Sequence, residues 1–369
     1  MSKPETMKAY CFSEIGKIDL IDVEKPKILK PTDVIGKVLK ATICGTDLHI
    51  VDGHMEFITV AARKRPGRGL ALGHEAIVEV IEVGSAVEKF KVGDVAIASC
   101  VSSCGHCFYC QKNIQAHCIN SEGLLGCYLG AEIDGFHAEY TRIPFADHSI
   151  FKVPKDQPLE PLLLLSDILP TSYEVGVKGK VQEGDNVAVI GLGPVGLCIL
   201  MTLRLFKPSQ VIAIDLDERR LELAKKLGAT TTINPKKEDV MKKILELTTQ
   251  EGKKPGVDVA IEAVGTSQTF LTCQDIVCPG GKIANVGVHG GPAPLNLQDL
   301  WAKNVDISTG LVSGYSTEEL LDEIVKGKID PSPLITHHFK LSEIEKAYDV
   351  FRNAGETGCI KVCITPDDE

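Results

Sequence analysis

Residues 184–215 read GDNVAVIGLGPVGLCILMTLRLFKPSQVIAID, in which two aliphatic runs enclose a glycine-rich turn and an apolar segment with helical spacing. Strand, turn, helix, strand and closing acid fit within about thirty residues, the length of one βαβ unit. Gly191 permits a tight turn, Gly193 lets the backbone approach a pyrophosphate, and Gly196 lets the helix pack closely on the strand. The pyrophosphate sits on free N–H groups at the helix N-terminus, and Asp215 accepts hydrogen bonds from an adenosine ribose. The stretch therefore predicts a dinucleotide-binding βαβ unit.

The segment that follows this unit alternates helical and strand patterns. Such alternation is typical of a parallel sheet with helices on both faces. We expect helices over residues 218–227, 238–248 and 268–277, and strands over 230–234, 257–264 and 282–286.

The first part of the chain instead carries short apolar runs separated by turn signals, which predicts a small β-rich domain. The sequence also predicts a loop with a solvated basic patch over residues 53–72. From about residue 310 the chain returns to this first domain. Its last elements are expected to be two amphipathic helices near 317–326 and 342–351 and a strand over 358–365.

Composition limits the class of protein. With 369 residues the chain has room for two domains, and 40 basic against 50 acidic side chains give a net charge of −10. This acidic balance, without a basic run, argues against partners such as nucleic acid or an anionic membrane. The chain has no apolar run near the ~20 residues of a membrane span. Residues 1–7 lack the apolar core of a signal peptide, so a cytoplasmic enzyme is expected.

Four of the 13 cysteines form a compact motif, with Cys104, Cys107 and Cys110 spaced three apart and Cys118 following. In a chain without a secretion signal, such clustering favours metal over disulfides. The alternative is free or paired thiols, but cysteines three residues apart pair poorly. Four thiolates complete the tetrahedral coordination of zinc and leave no open position, so this zinc is expected to be structural.

A second set of metal-ligating residue types is dispersed along the chain. The segment 44–49 reads CGTDLH, and 73–75 reads GHE. Each pair alone is weak, since a lone Cys or His is more often a core or surface residue. Together with a nicotinamide site and a separate zinc lobe, they indicate a catalytic zinc with an open position.

These motifs together resemble the zinc-dependent medium-chain alcohol dehydrogenases along nearly the whole chain. The resemblance implies an α/β protein in which a Rossmann domain, a doubly wound parallel sheet, interrupts a GroES-like β-rich catalytic domain. The active site is expected in the cleft between them. The expected limits are 1–165 and 310–369 for the catalytic domain, with the structural zinc lobe at 100–127, and 166–309 for the NAD-binding domain.

The resemblance also implies the ligands of the catalytic zinc. Cys44 and His74 supply two, and Asp167 stands where the best-known members carry a second cysteine. An aspartate there is similar to the secondary alcohol dehydrogenases. Apolar residues flank Asp167, and burying a carboxylate is costly unless it is paired or metal-bound. The alternatives are that Asp167 is a helix N-cap, and that Glu75 is the third ligand.

Further roles follow from the same resemblance. Thr46 hydrogen-bonds the substrate oxygen and takes its proton, His49 ends a proton relay that runs through the nicotinamide ribose, and Glu75 lies beside the zinc or ligates it transiently. The cofactor-binding residues are expected to be Thr171, Gly191, Gly193, Pro194, Val195, Gly196, Asp215, Arg220, Val264, Val288 and Lys361.

The reaction expected from these features is the reversible oxidation of an alcohol to an aldehyde or ketone, with NAD and two zinc ions per chain. Asp215 favours NAD over NADP because a carboxylate repels a 2′-phosphate, although Arg219 or Arg220 could pair with one. The apolar stretches 124–129 and 311–312 favour uncharged aliphatic or aromatic alcohols, unless they are plain core. A homotetramer or homodimer is expected by analogy. Alternatives are a polyol, amino-alcohol or formaldehyde dehydrogenase on the same scaffold, or a nucleotide-binding protein without activity.

Overall fold

The structure, a computed structural model, describes residues 5–121, 123 and 128–367. Residues 124–127, which include most of the expected pocket wall at 124–129, lie outside this part. The chain folds as two compact units. The first unit combines Met1–Pro170 with Val312–Glu369, and the second unit is Thr171–Leu311.

The strands are, in chain order, β1 Thr6–Glu14, β2 Lys17–Glu24, β3 Val34–Thr42, β4 Leu70–Ala71, β5 Glu75–Val83, β6 Val95–Ala98, β7 Tyr140–Ile143, β8 Ile150–Lys152, β9 Asn186–Ile190, β10 Gln210–Ile214, β11 Thr231–Ile233, β12 Val257–Glu262, β13 Val277–Asn285, β14 Asp306–Thr309, β15 Ile335–Lys340 and β16 Lys361–Thr365.

The α-helices are α1 Gly45–Val51, α2 Glu56–Arg63, α3 Ala146–Ser149, α4 Leu159–Leu162, α5 Ile168–Lys178, α6 Pro194–Leu203, α7 Glu218–Leu227, α8 Val240–Thr248, α9 Ser267–Ile276, α10 Leu297–Leu300, α11 Thr317–Val325, α12 Ile344–Arg352 and α13 Ala354–Thr357. None of the helices in the described part of the chain is both long and apolar enough to cross a bilayer.

The first unit is β-rich, as expected. Its larger sheet has the strand order β15-β16-β3-β5-β6-β8, with β7 also paired to β3, and a smaller sheet has the order β2-β1-β4. Strands β3 and β5 run antiparallel, and this register positions the site described below. Aliphatic and aromatic side chains from the sheets and from α12 form one buried core.

The predicted loop over residues 53–72 is wrong, because this segment contains α2 and β4. Helix α2 buries Ile58, Thr59 and Ala62 against the core. Its β-branched residues weaken the local helical signal, so tertiary burial decides the conformation. The basic patch is also paired rather than merely solvated. Arg65 and Arg68 both hold Asp134, at 2.8 and 2.7 Å.

The second unit contains one parallel sheet with the order β11-β10-β9-β12-β13-β14. Numbered within the unit, this is 3-2-1-4-5-6, the strand order of the Rossmann fold. The prediction of a doubly wound parallel sheet is confirmed, and α7 has the predicted bounds 218–227. The order reverses between β9 and β12, and ligands of such sheets bind at the carboxyl ends of the strands at this point.

Candidate active site

The first candidate metal centre lies where three segments of the first unit converge. Cys44 directly precedes α1, His74 and Glu75 stand at the start of β5, and Asp167 directly precedes α5. The sheet explains part of this, because Thr42 at the end of β3 pairs with Glu75. Ligand atoms of Cys44, His74, Glu75 and Asp167 all lie within 4.8 Å of one another. The structure thus brings together the three expected ligands, with Glu75 as a fourth.

The surroundings of His74 fit a metal ligand. The imidazole is fully buried, and neither ring nitrogen makes a hydrogen bond. Its Nε2 faces Asp167 Oδ2 at 3.2 Å, and its Nδ1 faces Asp47 Oδ1 at 3.4 Å. Metal-bound imidazoles commonly turn one nitrogen to the ion and the other to a carboxylate. A thiol, an imidazole and a carboxylate around one point match the donor set of a catalytic zinc.

Asp47 supports this arrangement, although its role was not recognised from sequence. Its carboxylate is buried and accepts the backbone N–H groups of Cys44 at 2.8 Å and Gly73 at 3.3 Å. Burial alone would raise the pKa of Asp47, but His74, His137 and the backbone N–H of Cys44 lower it to about 2. Burial likewise opposes the charged form of His74, but Asp47 and Asp167 raise its pKa well above the usual value. Asp47 therefore remains ionised behind the imidazole.

Glu75 forms a buried ion pair with Lys361. Lys361 is 1% exposed, and its Nζ donates to Glu75 Oε1 at 2.6 Å and to the carbonyl oxygen of Ile43 at 2.9 Å. Burial raises the pKa of Glu75 despite this partner. The other oxygen, Glu75 Oε2, makes no hydrogen bond and is free to face a cation. Lys361, expected at a cofactor position, is thus held by Glu75 within the first unit.

Helix α1 carries the two expected proton-handling residues three positions apart, so both lie on one helical face. Thr46 Oγ1 lies 3.8 Å from Cys44 Sγ, which places the hydroxyl beside the ligand cluster. His49 is half-buried, and its Nδ1 lies 3.0 Å from Nδ1 of the exposed His54. Burial and then His54 lower the pKa of His49, so its imidazole is neutral at pH 7 and can accept a proton.

The second candidate metal centre is the four-cysteine lobe, defined by Cys104, Cys107, Cys110 and Cys118. All four thiols are buried and lie within 4.8 Å of one another. Cys110 Sγ is 3.5 Å from Cys107 Sγ and 3.9 Å from Cys104 Sγ, too far for disulfides. Sulfurs placed tetrahedrally 2.3 Å from zinc are about 3.8 Å apart, so the spacing fits. Asn120 Nδ2 donates to Cys104 Sγ at 3.2 Å.

Backbone donors favour the thiolate form in part of this lobe. Burial by itself would raise the pKa of Cys107, but N–H groups of Cys110 and Ile119 lower it to about 6. Burial and the neighbouring thiols raise the pKa of Cys110 to about 12. A bound dication would relieve this mutual repulsion, as expected for a structural zinc.

In the second unit, the glycine turn joins β9 to α6 as predicted. Gly191 has φ of 93°, and a Cβ there would lie 2.3 Å from Val264 Cγ2. A Cβ on Gly196 would lie 1.9 Å from the carbonyl oxygen of Gly191, so helix and turn pack too closely for any other residue. A Cβ on Gly193 would meet nothing within 4 Å, which leaves open space for a ligand at the helix N-terminus.

Asp215 lies at the end of β10 beside this turn. Its Oδ2 accepts the N–H of Leu192 at 2.6 Å and its Oδ1 accepts the N–H of Asp217 at 2.8 Å. Each oxygen keeps a second lone pair for a ribose hydroxyl. Of the neighbouring arginines, Arg219 is bound to Asp217 at 2.8 Å, and Arg220 is partly exposed on α7.

The remaining expected cofactor residues also lie in the second unit. Val264 and Val288 follow β12 and β13 at the carboxyl edge of the sheet and are 46% and 54% exposed. Pro194 begins α6, and the carbonyl oxygen of Val195 accepts the hydroxyl of Ser172. Thr171 lies on α5.

Comparison with known proteins agrees with this geometry. The family model "Alcohol dehydrogenase GroES-like domain" matches residues 30–155, and "Zinc-binding dehydrogenase" matches residues 194–326. Zinc-type alcohol dehydrogenase B of Aspergillus flavus is 35% identical over 359 residues, covering 95% of this chain and 80% of that protein. The NADP-dependent isopropanol dehydrogenase of Thermoanaerobacter brockii is 33% identical over 355 residues, covering 94% and 96%.

A solved structure, zinc dependent alcohol dehydrogenase 2 from Streptococcus pneumonia in its apo form, is 46% identical, with a TM-score of 0.87 and coverage of 98% of this chain and 99% of that chain. Both units are therefore matched, and the relatives align along almost the whole sequence. The chain belongs to the zinc-dependent alcohol dehydrogenase family.

Proposed function

We propose that Cys44, His74 and Asp167 hold the catalytic zinc of this alcohol dehydrogenase, and that the four-cysteine lobe holds a structural zinc. The convergence of the first three side chains within 4.8 Å supports this most strongly. When bound at this site, zinc supplies a Lewis acid that lowers the pKa of an alcohol hydroxyl. The lobe contributes four sulfur ligands and leaves no position for substrate.

The protein's own groups would handle the proton. Thr46, beside Cys44, is placed to hydrogen-bond the substrate oxygen and accept its proton. His49 on the same face of α1 is neutral and contacts the exposed His54, so it can release that proton to solvent. Thr46→Val should therefore lower kcat strongly, whereas His49→Gln should lower kcat mainly above the pKa of His49, where the wild-type imidazole is neutral and accepts the proton.

We propose that NAD is preferred over NADP. The Asp215 carboxylate lies at the end of β10 beside the glycine turn, where it would accept from ribose and repel a 2′-phosphate. Arg219 is already paired with Asp217, which leaves Arg220 as the competing phosphate ligand. Because one relative is named as NADP-dependent, the two cofactors should be compared directly in this chain. Measuring kcat/KM for both cofactors tests the proposal, and a higher value for NADP would overturn it.

The proposed substrates are uncharged aliphatic or aromatic alcohols, oxidised reversibly to aldehydes or ketones. A second candidate is a polyol or amino alcohol, favoured by the presence of Glu75 in the ligand cluster. Reduction of NAD at 340 nm with a panel of primary, secondary and aromatic alcohols, polyols, amino alcohols and formaldehyde distinguishes them. Failure of the whole panel with both cofactors would leave a nucleotide-binding protein without this activity.

A homotetramer or homodimer and a cytoplasmic location complete the proposal. Light scattering of the purified protein tests the first, and a monomer would contradict it. Cell fractionation tests the second.

A further inference from the structure

Glu262, the last residue of β12, is a fully buried carboxylate that plays no part in the chemistry described above. Its Oε1 accepts the N–H groups of Val264 at 3.0 Å and Gly265 at 2.9 Å and the hydroxyl of Thr269 at 2.6 Å. Its Oε2 accepts the Gly265 N–H at 3.1 Å and lies 3.5 Å from His289 Nε2. The carboxylate therefore fixes the turn that follows β12 by accepting the N–H groups of Val264 and Gly265.

The turn that Glu262 holds is packed against its neighbours without spare room. A Cβ on Gly265 would lie 2.3 Å from the carbonyl oxygen of Val288, and one on Gly287 would lie 2.2 Å from Glu262 Oε2. Val264 in turn covers Gly191 of the glycine turn. The Val264 turn and the loop at Gly287 thus both lie against the carboxylate, and the glycine turn lies against Val264, so a shift of the carboxylate would disturb all three segments.

His289 extends this contact to the loop that follows β13. Its Nε2 lies 2.9 Å from Asn285 Oδ1, and Asn285 Nδ2 donates to the carbonyl oxygen of Gly287 at 2.9 Å. Because the amide nitrogen of Asn285 is used by that carbonyl, Oδ1 is the acceptor and His289 Nε2 carries the proton. His289 Nε2 also lies 3.5 Å from Glu262 Oε2, which places the imidazole between Glu262 and the loop that carries Val288.

We infer that Glu262 is a positioning residue for the dinucleotide: it fixes the Val264 turn directly and, through His289, the loop carrying Val288. The inference rests on the proposed function, alcohol oxidation with a bound dinucleotide, and on the expectation from the family resemblance that Val264 and Val288 contact that cofactor. A carboxylate is required because both of its oxygens accept hydrogen bonds. A glutamine at this position would keep only one acceptor oxygen. Its NH₂ group would face another donor, either the N–H of Gly265 or His289, so one buried donor would be left unpaired.

The test is the affinity of the zinc-loaded full-length enzyme for NADH, measured by fluorescence titration. Glu262→Gln should raise the Kd by roughly tenfold or more, the effect of leaving a buried donor unpaired. The KM for NAD should rise in parallel, while the zinc content stays unchanged. The matched control is Asp258→Asn at the opposite end of β12, where Asp258 binds Lys253 at 2.6 Å and the N–H of Asn186 at 2.9 Å. This control should lower thermal stability and leave the Kd within about twofold of wild type.

The inference is overturned if Glu262→Gln binds NADH within about twofold of wild type, or if Asp258→Asn weakens binding equally. Should Glu262→Gln fail to fold, Thr269→Val removes a single donor to the carboxylate and should still weaken NADH binding several-fold; unchanged binding by that variant would also overturn it. A wild-type protein that binds neither NADH nor NADPH contradicts the proposed function itself. That result is seen before any variant is made, so the two failures are distinguishable.

Discussion

The two candidate metal centres of the first unit differ in how the chain assembles them. The four-cysteine lobe takes all its ligands from residues 104–118, so local spacing alone brings the thiols together. The other centre takes Cys44, His74 and Asp167 from three distant segments, two of which are brought together by the pairing of β3 with β5. The geometry of the lobe therefore depends on one loop, whereas the geometry of the dispersed centre depends on the folding of the whole first unit.

Their electrostatic surroundings differ in the same way. In the lobe, neutral donors face the thiols, namely backbone N–H groups and the amide of Asn120. Behind the dispersed centre lie buried full charges, Asp47 on one side and the Glu75–Lys361 pair on the other. Charges buried this deeply lower stability unless they are paired. The charges around the dispersed centre therefore depend on the folded unit, and their presence indicates a functional role. Damage to the lobe should therefore lower stability, and damage to the dispersed centre should lower activity.

The largest effect is expected for Asp167→Asn, which removes the charge of one of the three proposed zinc ligands. We expect kcat to fall by two to three orders of magnitude, the scale for losing a group that acts on charge in the transition state. Zinc should fall from two ions to one per chain, while NADH still binds. Metal analysis and steady-state kinetics on the same sample measure both quantities.

Glu75→Gln is the matched comparison, because it changes the other carboxylate of the cluster. It should cost less than Asp167→Asn, since Glu75 is already paired with Lys361. If Asp167→Asn kept two zincs and normal kcat while Glu75→Gln lost both, Glu75 would be the third ligand. That result would favour the polyol or amino-alcohol substrate.

Asp47→Asn should have the next largest effect. The substitution removes the negative charge that faces His74, while the asparagine side chain keeps the size and shape of the aspartate. Loss of such a partner typically weakens metal affinity by about 10- to 100-fold. Competition with a chelator should show this weakening for the catalytic zinc and none for the lobe zinc. The control is Asp33→Asn, since Asp33 is equally buried but pairs with Arg142 at 3.0 Å. Equal zinc loss in both variants would contradict a specific role for Asp47.

Cys107→Ala examines the other side of the comparison. We expect one zinc per chain and a Tm lower by roughly 10 °C, because metal binding at a structural site contributes to folding. The folded fraction should keep most of its kcat, since the lobe provides no open position. A variant that retained two zincs and its Tm would disprove the structural role of the lobe.

Much of the second unit could be predicted because its elements carry local signals. The bounds of α7 follow from its periodicity and from Gly228, which ends it. Helix α2 could not be predicted in this way, since its sequence mixes β-branched residues with charges and becomes helical through burial of Ile58 and Ala62. The signal there was tertiary, and a single sequence does not display it.

The same limit applies to the site. The ligand types were recognisable from the motifs, but the pairing of Glu75 with Lys361 joins residues 286 positions apart and leaves no mark in either segment. Asp47 had a weak local signal, since an acid three residues after a helix N-cap, here Cys44, often accepts the backbone N–H of that N-cap. Its second role, facing His74, depends on how β5 meets α1 and required the structure.

The smallest effect concerns the pH profile of alcohol oxidation. It concerns the dispersed centre alone, because α1, which carries His49, lies beside that centre. His49 has a pKa below its usual value because of burial and then His54, with Asp52 acting in the opposite direction while paired to Arg352 at 2.8 Å. A neutral His49 accepts the proton, so alcohol oxidation should decline as the pH falls through this lowered pKa.

His54→Gln removes one cause of the lowering, so the pKa of His49 rises and the acid limb of kcat should move to higher pH by less than about one unit. At pH 8 the variant should match the wild type, because His49 is neutral in both. His338→Gln, an exposed imidazole paired with Glu160, serves as the control and should leave the profile unchanged. An acid limb that does not move in His54→Gln, or that moves equally in His338→Gln, would show that His49 does not govern proton release.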